Sequence, residues 1–173
     1  MGISCTPSKP KKNTQLAIAI DEYQKFLTQF EIELKKSVSN NAETDEWESA
    51  SQSLFINTHN YHNEIKRHWK LSKDPEKEND LEKWVAAELF SYQLEITILE
   101  HWQQCEKKEL SESLLELKDA DKFSSQTDTD LSSLTLKIEQ QITESTILFD
   151  AAIKDVKIRQ DELKNNHRLL IKD

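Results

Sequence analysis

The chain of 173 residues carries a net charge of −9, with 32% charged residues, 36% hydrophobic residues and one glycine. An acidic body of this kind disfavours nucleic acid as a partner, because it repels the phosphate backbone. Enzymes built on glycine-rich phosphate loops, such as P-loop NTPases, dinucleotide-binding folds and kinases, are excluded with it, because there is no internal glycine to form the loop.

The same composition sets the fold class. Val38, Val85 and Val156 are the only valines, and three prolines and one glycine leave few turn residues. Sheets need both β-branched side chains and glycine-bearing turns. Leu, Ile, Val and Phe still make up about a quarter of the chain, above the range of disordered segments. These observations predict an all-α protein: an antiparallel, up-down bundle of four helices with long, coiled-coil-like third and fourth members. Two cysteines, Cys5 and Cys105, make no disulfide framework. No apolar stretch has the length of a membrane span or of a secretory core. The expected location is therefore the cytosol.

Residues 1–13 read as a flexible N-terminal arm, with residues 14–173 as the helical bundle. Pro7 and Pro10 keep the arm extended. It opens Met1-Gly2-Ile3-Ser4-Cys5-Thr6, the pattern for myristoylation of Gly2 after removal of Met1. The transfer needs an unhindered α-amine, which only glycine presents. One myristoyl chain binds membranes reversibly, with a partition constant of about 10⁴ M⁻¹. A second signal is therefore sought. Cys5 is a candidate for S-palmitoylation. Lys9, Lys11 and Lys12 each add roughly 1 kcal/mol near an anionic leaflet. Without these three lysines the net charge of −9 becomes −12, so a small basic head precedes an acidic body.

The first helix is capped by Asn13 or Thr14 and ends at Ser39-Asn40-Asn41. Its stripe is Leu16, Ala19, Ile20, Tyr23, Phe26, Leu27, Phe30, Leu34 and Val38, at steps of three and four. The second starts after Thr44 or Asp45 and runs to about Leu71, with Trp47, Ala50, Leu54, Tyr61, Ile65, His68 and Trp69 inward. Asp74-Pro75 starts the third helix. It extends to about Lys118, with Leu81, Val85, Leu89, Tyr92, Ile96, Leu99, Gln103, Leu110, Leu114 and Leu117 on its stripe. A polar loop over 119–130 leads to the fourth, from about Asp130 to Lys172. That helix repeats Leu134, Ile138, Ile142, Ser145, Phe149, Ala152, Val156, Arg159, Leu163, His167 and Leu170 in heptad fashion.

Antiparallel pairing of these stripes sets Trp69 against Trp84, Tyr61 against Tyr92 and Leu54 against Leu99. Across the later loop it sets Leu110 against Ile138, Leu99 against Phe149 and Tyr92 against Val156. The third and fourth helices outrun the first two, so one end should project as a two-helix arm. The start of the first helix falls at the other end, with Lys66, Arg67, Lys70 and Lys164. The acidic residues Glu109, Glu112, Glu116, Asp119 and Asp121 belong to the projecting end.

Other groupings fall short of chemistry. His59 and His62 share a helix face near Glu64 and His68, yet neither the E-x-x-H of di-iron bundles nor H-E-x-x-H occurs. Asp119-x-Asp121 and Asp128-x-Asp130 resemble calcium loops, but Ser133 stands where such a loop needs glycine. Trp47, Trp69, Trp84 and Trp102 lie on or beside the stripes and read as packing anchors. Cys105 shares a face with His101 but has no orienting group and no oxyanion hole, so it reads as structural. No catalytic residue, metal or cofactor is expected.

The functional expectation is a non-enzymatic adaptor or scaffold, tethered at the cytosolic face of a membrane and binding protein partners through helical surfaces, with self-association open to it. Two alternatives stand beside it. One is a soluble coiled-coil subunit or chaperone-like cofactor without lipidation. The other is a bacterial effector acylated in a host cell.

Overall fold

A computed structural model describes residues 14–123 and 129–171. The protein is an all-α helical bundle. Its helices are α1 (Gln15–Ser39), α2 (Thr44–Leu71), α3 (Asp74–Phe123) and α4 (Thr129–Asn165), followed by a short 3-10 helix (His167–Ile171). No strand occurs among the described residues.

Local chemistry sets the helix ends. Thr14 is extended, and its hydroxyl accepts the Ala17 N–H at 3.2 Å, satisfying one of the orphan donors of α1. At the other end Asn41 has φ 53°, a left-handed conformation that asparagine tolerates better than most residues. The Ala42 N–H then reaches the Ser37 carbonyl at 3.0 Å, and the Asn41 N–H reaches that of Val38 at 3.4 Å. This is a Schellman stop with asparagine in the glycine position. It turns the chain so that Ala42 is buried and α2 runs back along α1.

α3 is the central element, and α1, α2 and α4 all pack on it, whereas α4 makes at most marginal contact with α1 or α2. One apolar cluster joins α1 (Leu16, Ile20, Tyr23, Leu27), α2 (Leu54, Ile65) and α3 (Trp84, Leu94, Ile98). A second, smaller one joins Ile96 of α3 to Ile153 and Val156 of α4, with Tyr92 and Leu99 beside it. α3 therefore has two apolar faces. The stripe through Tyr92, Ile96 and Leu99 is the face toward α4. Trp84, Leu94 and Ile98 form a second face toward α1 and α2.

The register agrees with the expectation next to the α2–α3 turn and where Tyr92 packs against the cluster that holds Val156, and departs from it at Tyr61 and Phe149. Trp69 and Trp84 meet, with ring centroids 5.9 Å apart. Tyr61, expected against Tyr92, stacks on Tyr23 of α1 at 5.4 Å. Phe149, expected against Leu99, packs edge-on to Trp102 at 5.4 Å, almost one turn further along α3. Three helices, and not two, share the crossing at Tyr61, and its ring lies against Tyr23 and Phe26 of α1.

Two boundaries also differ. α3 continues to Phe123 where a loop was expected from 119. The segment Lys118-Asp119-Ala120-Asp121-Lys122 contains no helix breaker, and Lys118 Nζ pairs with Glu139 Oε1 of α4 at 3.2 Å. α4 stops at Asn165 and not at Lys172. The Asn166 side chain accepts the Arg168 N–H at 3.3 Å and its carbonyl accepts the Leu169 N–H at 3.1 Å. Such local asparagine bonds compete with the helix ladder. The turn carries Leu170 onto the main cluster.

The Ala42 carbonyl accepts the Cys105 thiol at 3.4 Å, which fixes where the α1–α2 turn meets α3. Glu109, one turn further on, is still hydrogen-bonded to Thr44 at the start of α2. From 110 to 123 α3 runs beside α4, about 21 Å of projecting hairpin at 1.5 Å per residue. No helix among the described residues is long and apolar enough to cross a membrane.

Candidate functional site

Gly2, Cys5, Lys9, Lys11 and Lys12 lie outside the described residues. Their point of entry into the bundle is described. Thr14 caps α1 at the end where α2 finishes and where the terminal 3-10 helix packs on α3. Arg67 and Lys164 at this end are partly neutralised by Glu64 at 3.4 Å and Asp161 at 3.1 Å.

A cleft of about 510 Å³ opens between α2 and α4 with α3 as its floor. It exists because α4 leans on α3 without reaching α2. Glu88 lies at its base and is only 3% exposed. Its Oε2 accepts the Tyr23 hydroxyl at 3.0 Å and bonds His62 Nε2 at 2.5 Å. Beside it the hydroxyls of Thr58 and Ser91 are 3.4 Å apart. Burial, then the Glu88 charge, push the Tyr23 hydroxyl far above its ordinary value. The same two causes push Tyr92 up to about 12. On the α4 wall Arg159 lies over the Tyr92 ring, 5.4 Å from its centroid, and bonds Glu95 at 3.1 Å. Burial works against the Arg159 charge, but the Glu95 carboxylate outweighs it and the guanidinium is held above its ordinary value.

This group ties α1, α2 and α3 together through one carboxylate. Both bonds to Glu88 Oε2 come from side chains of other helices, which suits an organising polar core. It holds no nucleophile–base pair of the kind covalent catalysis requires. The sequence places Tyr23 on an inward stripe and His62 in a histidine grouping that falls short of a metal site, and no periodicity marks Glu88. The available signal was the hydroxyl of an inward tyrosine, which needs a buried acceptor.

The remaining histidines are dispersed. His59 stacks on Phe55 at 6.5 Å, and His68 lies 3.7 Å from Glu64. No group of three or more His, Cys, Asp or Glu among the described residues could hold a metal ion. Cys105 is half-buried between the Ala42 carbonyl and the Thr44 hydroxyl, which is 3.6 Å away. Burial pushes its thiol up, and Glu109 adds to the shift, so the sulfur is held in its less nucleophilic form. Trp47 donates to the Ala42 carbonyl at 3.1 Å and stacks on His101 at 5.2 Å. Cys105, Thr44 and Trp47 thus clamp the α1–α2 turn onto α3.

The α3–α4 pair carries an open groove of about 470 Å³ near the root of the hairpin. Leu99, Leu110, Phe149 and Ala152 form its apolar bed, Leu148 stands on its edge at 70% exposure, and Glu106 and Glu144 border it. Further out Leu110, Leu114, Leu117, Ile138 and Ile142 are all half-buried, although they occupy the seam between the helices.

The fold and these surfaces define a class: an all-α bundle of three packed helices with a fourth laid along its central member. No family model matches the chain, and no curated protein or solved structure matches it either.

Proposed function

We propose that this protein is a lipid-anchored helical adaptor: acylated on Gly2 and on Cys5, held at the cytosolic face of a membrane, and presenting its projecting hairpin to protein partners. The observation that supports it is the separation of the two ends. α1 begins at one end of the bundle, and the α3–α4 hairpin extends about 21 Å beyond the start of α2 at the other. A membrane bound through residues 1–13 would leave the hairpin unobstructed. Lys9, Lys11 and Lys12 supply the electrostatic part of the attachment.

The test is metabolic labelling with a clickable myristate analogue. Wild type is expected to label and to sediment with membranes, and Gly2→Ala to lose the label and move to the soluble fraction. Cys5→Ser is expected to keep the myristate label and to bind membranes more weakly. Equal labelling and equal sedimentation of wild type and Gly2→Ala would refute the proposal.

A further inference from the structure

We infer that the groove between α3 and α4 near the root of the hairpin is a docking site for a basic amphipathic helix of a partner protein. The inference rests on the adaptor reading and names the site and the chemistry of its occupant.

The first observation is an unfinished core. Where three helices meet, side chains at seam positions are fully enclosed: Leu27, Leu54 and Ile98 are 3% exposed or less. In the hairpin the corresponding positions, Leu110, Leu114, Ile138 and Ile142, remain half-buried. Two helices cannot enclose their own seam, and a third laid into the groove would. The groove already has the shape for one, with an apolar bed of Leu99, Leu110 and Phe149 and the exposed edge of Leu148.

The second observation is charge, which selects the occupant. Residues 99–152 contain twelve acids and five lysines. Glu106 and Glu144 stand on the groove itself, and the hydrogen-bond partner of Glu144 is the neutral amide of Gln140 at 2.6 Å. A second copy of this hairpin would bring acid against acid across the groove. A helix with leucines on one face and lysines or arginines on its flanks places apolar side chains on the bed and cations against the rim, the helix-in-groove mode of recognition.

The experiment uses the full chain, unacylated, and a fluorescent 18-residue peptide of leucine and lysine in helical spacing, followed by anisotropy. A leucine and glutamate peptide of the same spacing is the charge control. Wild type is expected to bind the lysine peptide at least about tenfold more tightly than the glutamate peptide. Leu148→Gln should weaken it at least about tenfold, whereas Ile158→Gln, on the far side of α4, should leave it unchanged. Glu106→Lys/Glu144→Lys should reverse the preference between the peptides. Circular dichroism confirms that each variant keeps the wild-type helicity. Failure to bind, or equal loss in Leu148→Gln and Ile158→Gln, would overturn the inference. So would a concentration-dependent dimer abolished by Leu148→Gln, because the occupant would then be a second copy. Acylation plays no part in this titration. Loss of peptide binding with normal myristate labelling removes the groove alone, and normal peptide binding without labelling removes the membrane tether alone.

Discussion

Replacing His62 by leucine tests whether the buried carboxylate holds the three-helix core together. Glu88 has 4% of its side chain exposed and His62 has 26%. The substitution leaves Glu88 with the Tyr23 hydroxyl as its remaining partner on Oε2. Leaving a buried acceptor short of a hydrogen-bond partner costs about 1–3 kcal/mol, and more when the acceptor is a carboxylate. The open side of the cleft admits water to the position of His62, so about 3 kcal/mol is expected. For a chain of this size that corresponds to a fall of roughly 6–12 °C in Tm. The triple variant Tyr23→Phe/His62→Leu/Glu88→Leu removes the charge together with both donors and should lie within about 1.5 kcal/mol of wild type. Urea unfolding at pH 7, followed by far-ultraviolet circular dichroism, measures both. The reasoning fails if His62→Leu costs less than about 1 kcal/mol, or if the triple variant is less stable than the single one.

Leu54→Ala, in the enclosed core, should cost about 2–5 kcal/mol, whereas Leu148→Ala, at 70% exposure, should stay within about 0.5 kcal/mol; chemical unfolding of the two side by side separates core from groove. Asn41→Val should lose about 1–2 kcal/mol, because a β-branched residue resists a φ of 53°, while Asn41→Gly should match or exceed wild type in the same melts. Tyr92, raised from its ordinary 10.0 to about 12, keeps its proton in the folded chain over a range where the unfolded chain loses it. Its stabilising effect is therefore complete below pH 10 and disappears as pH rises from 10 to 12. Unfolding at stepped alkaline pH should show that decline, and Tyr92→Phe should make it shallower.

Much of the fold is legible in the residues. Thr14 and the Asn40-Asn41 pair mark both ends of α1, and the period of three and four residues separates the helices. The second face of α3 was not legible, because a stripe search keeps the strongest periodicity. Trp84, Leu94 and Ile98 interleave with Tyr92, Ile96 and Leu99, so two stripes on one helix blur into one. The register beyond the turns was hidden for a related reason. Tyr61 could be paired within a two-helix hairpin, but its place was decided by α1. The cleft was invisible because it is made by the gap between α2 and α4, and a gap leaves no periodic trace. Glu88 looks like any helical glutamate until Tyr23 and His62 arrive from two other helices.

The sharing of α3 between two clusters divides the molecule's resistance to opening. The α1–α2–α3 cluster can persist while α4 lifts away, since among the described residues α4 contributes no buried apolar side chain to it and meets its margin through Phe149 on Trp102, with Leu170 beyond its end. Backbone amides of α4 and of the outer half of α3 should therefore exchange with solvent through partial opening, whereas those of α1 around Tyr23 await global unfolding. A helix seated in the groove would close that gap by mass action, lending the hairpin a protection it lacks when alone.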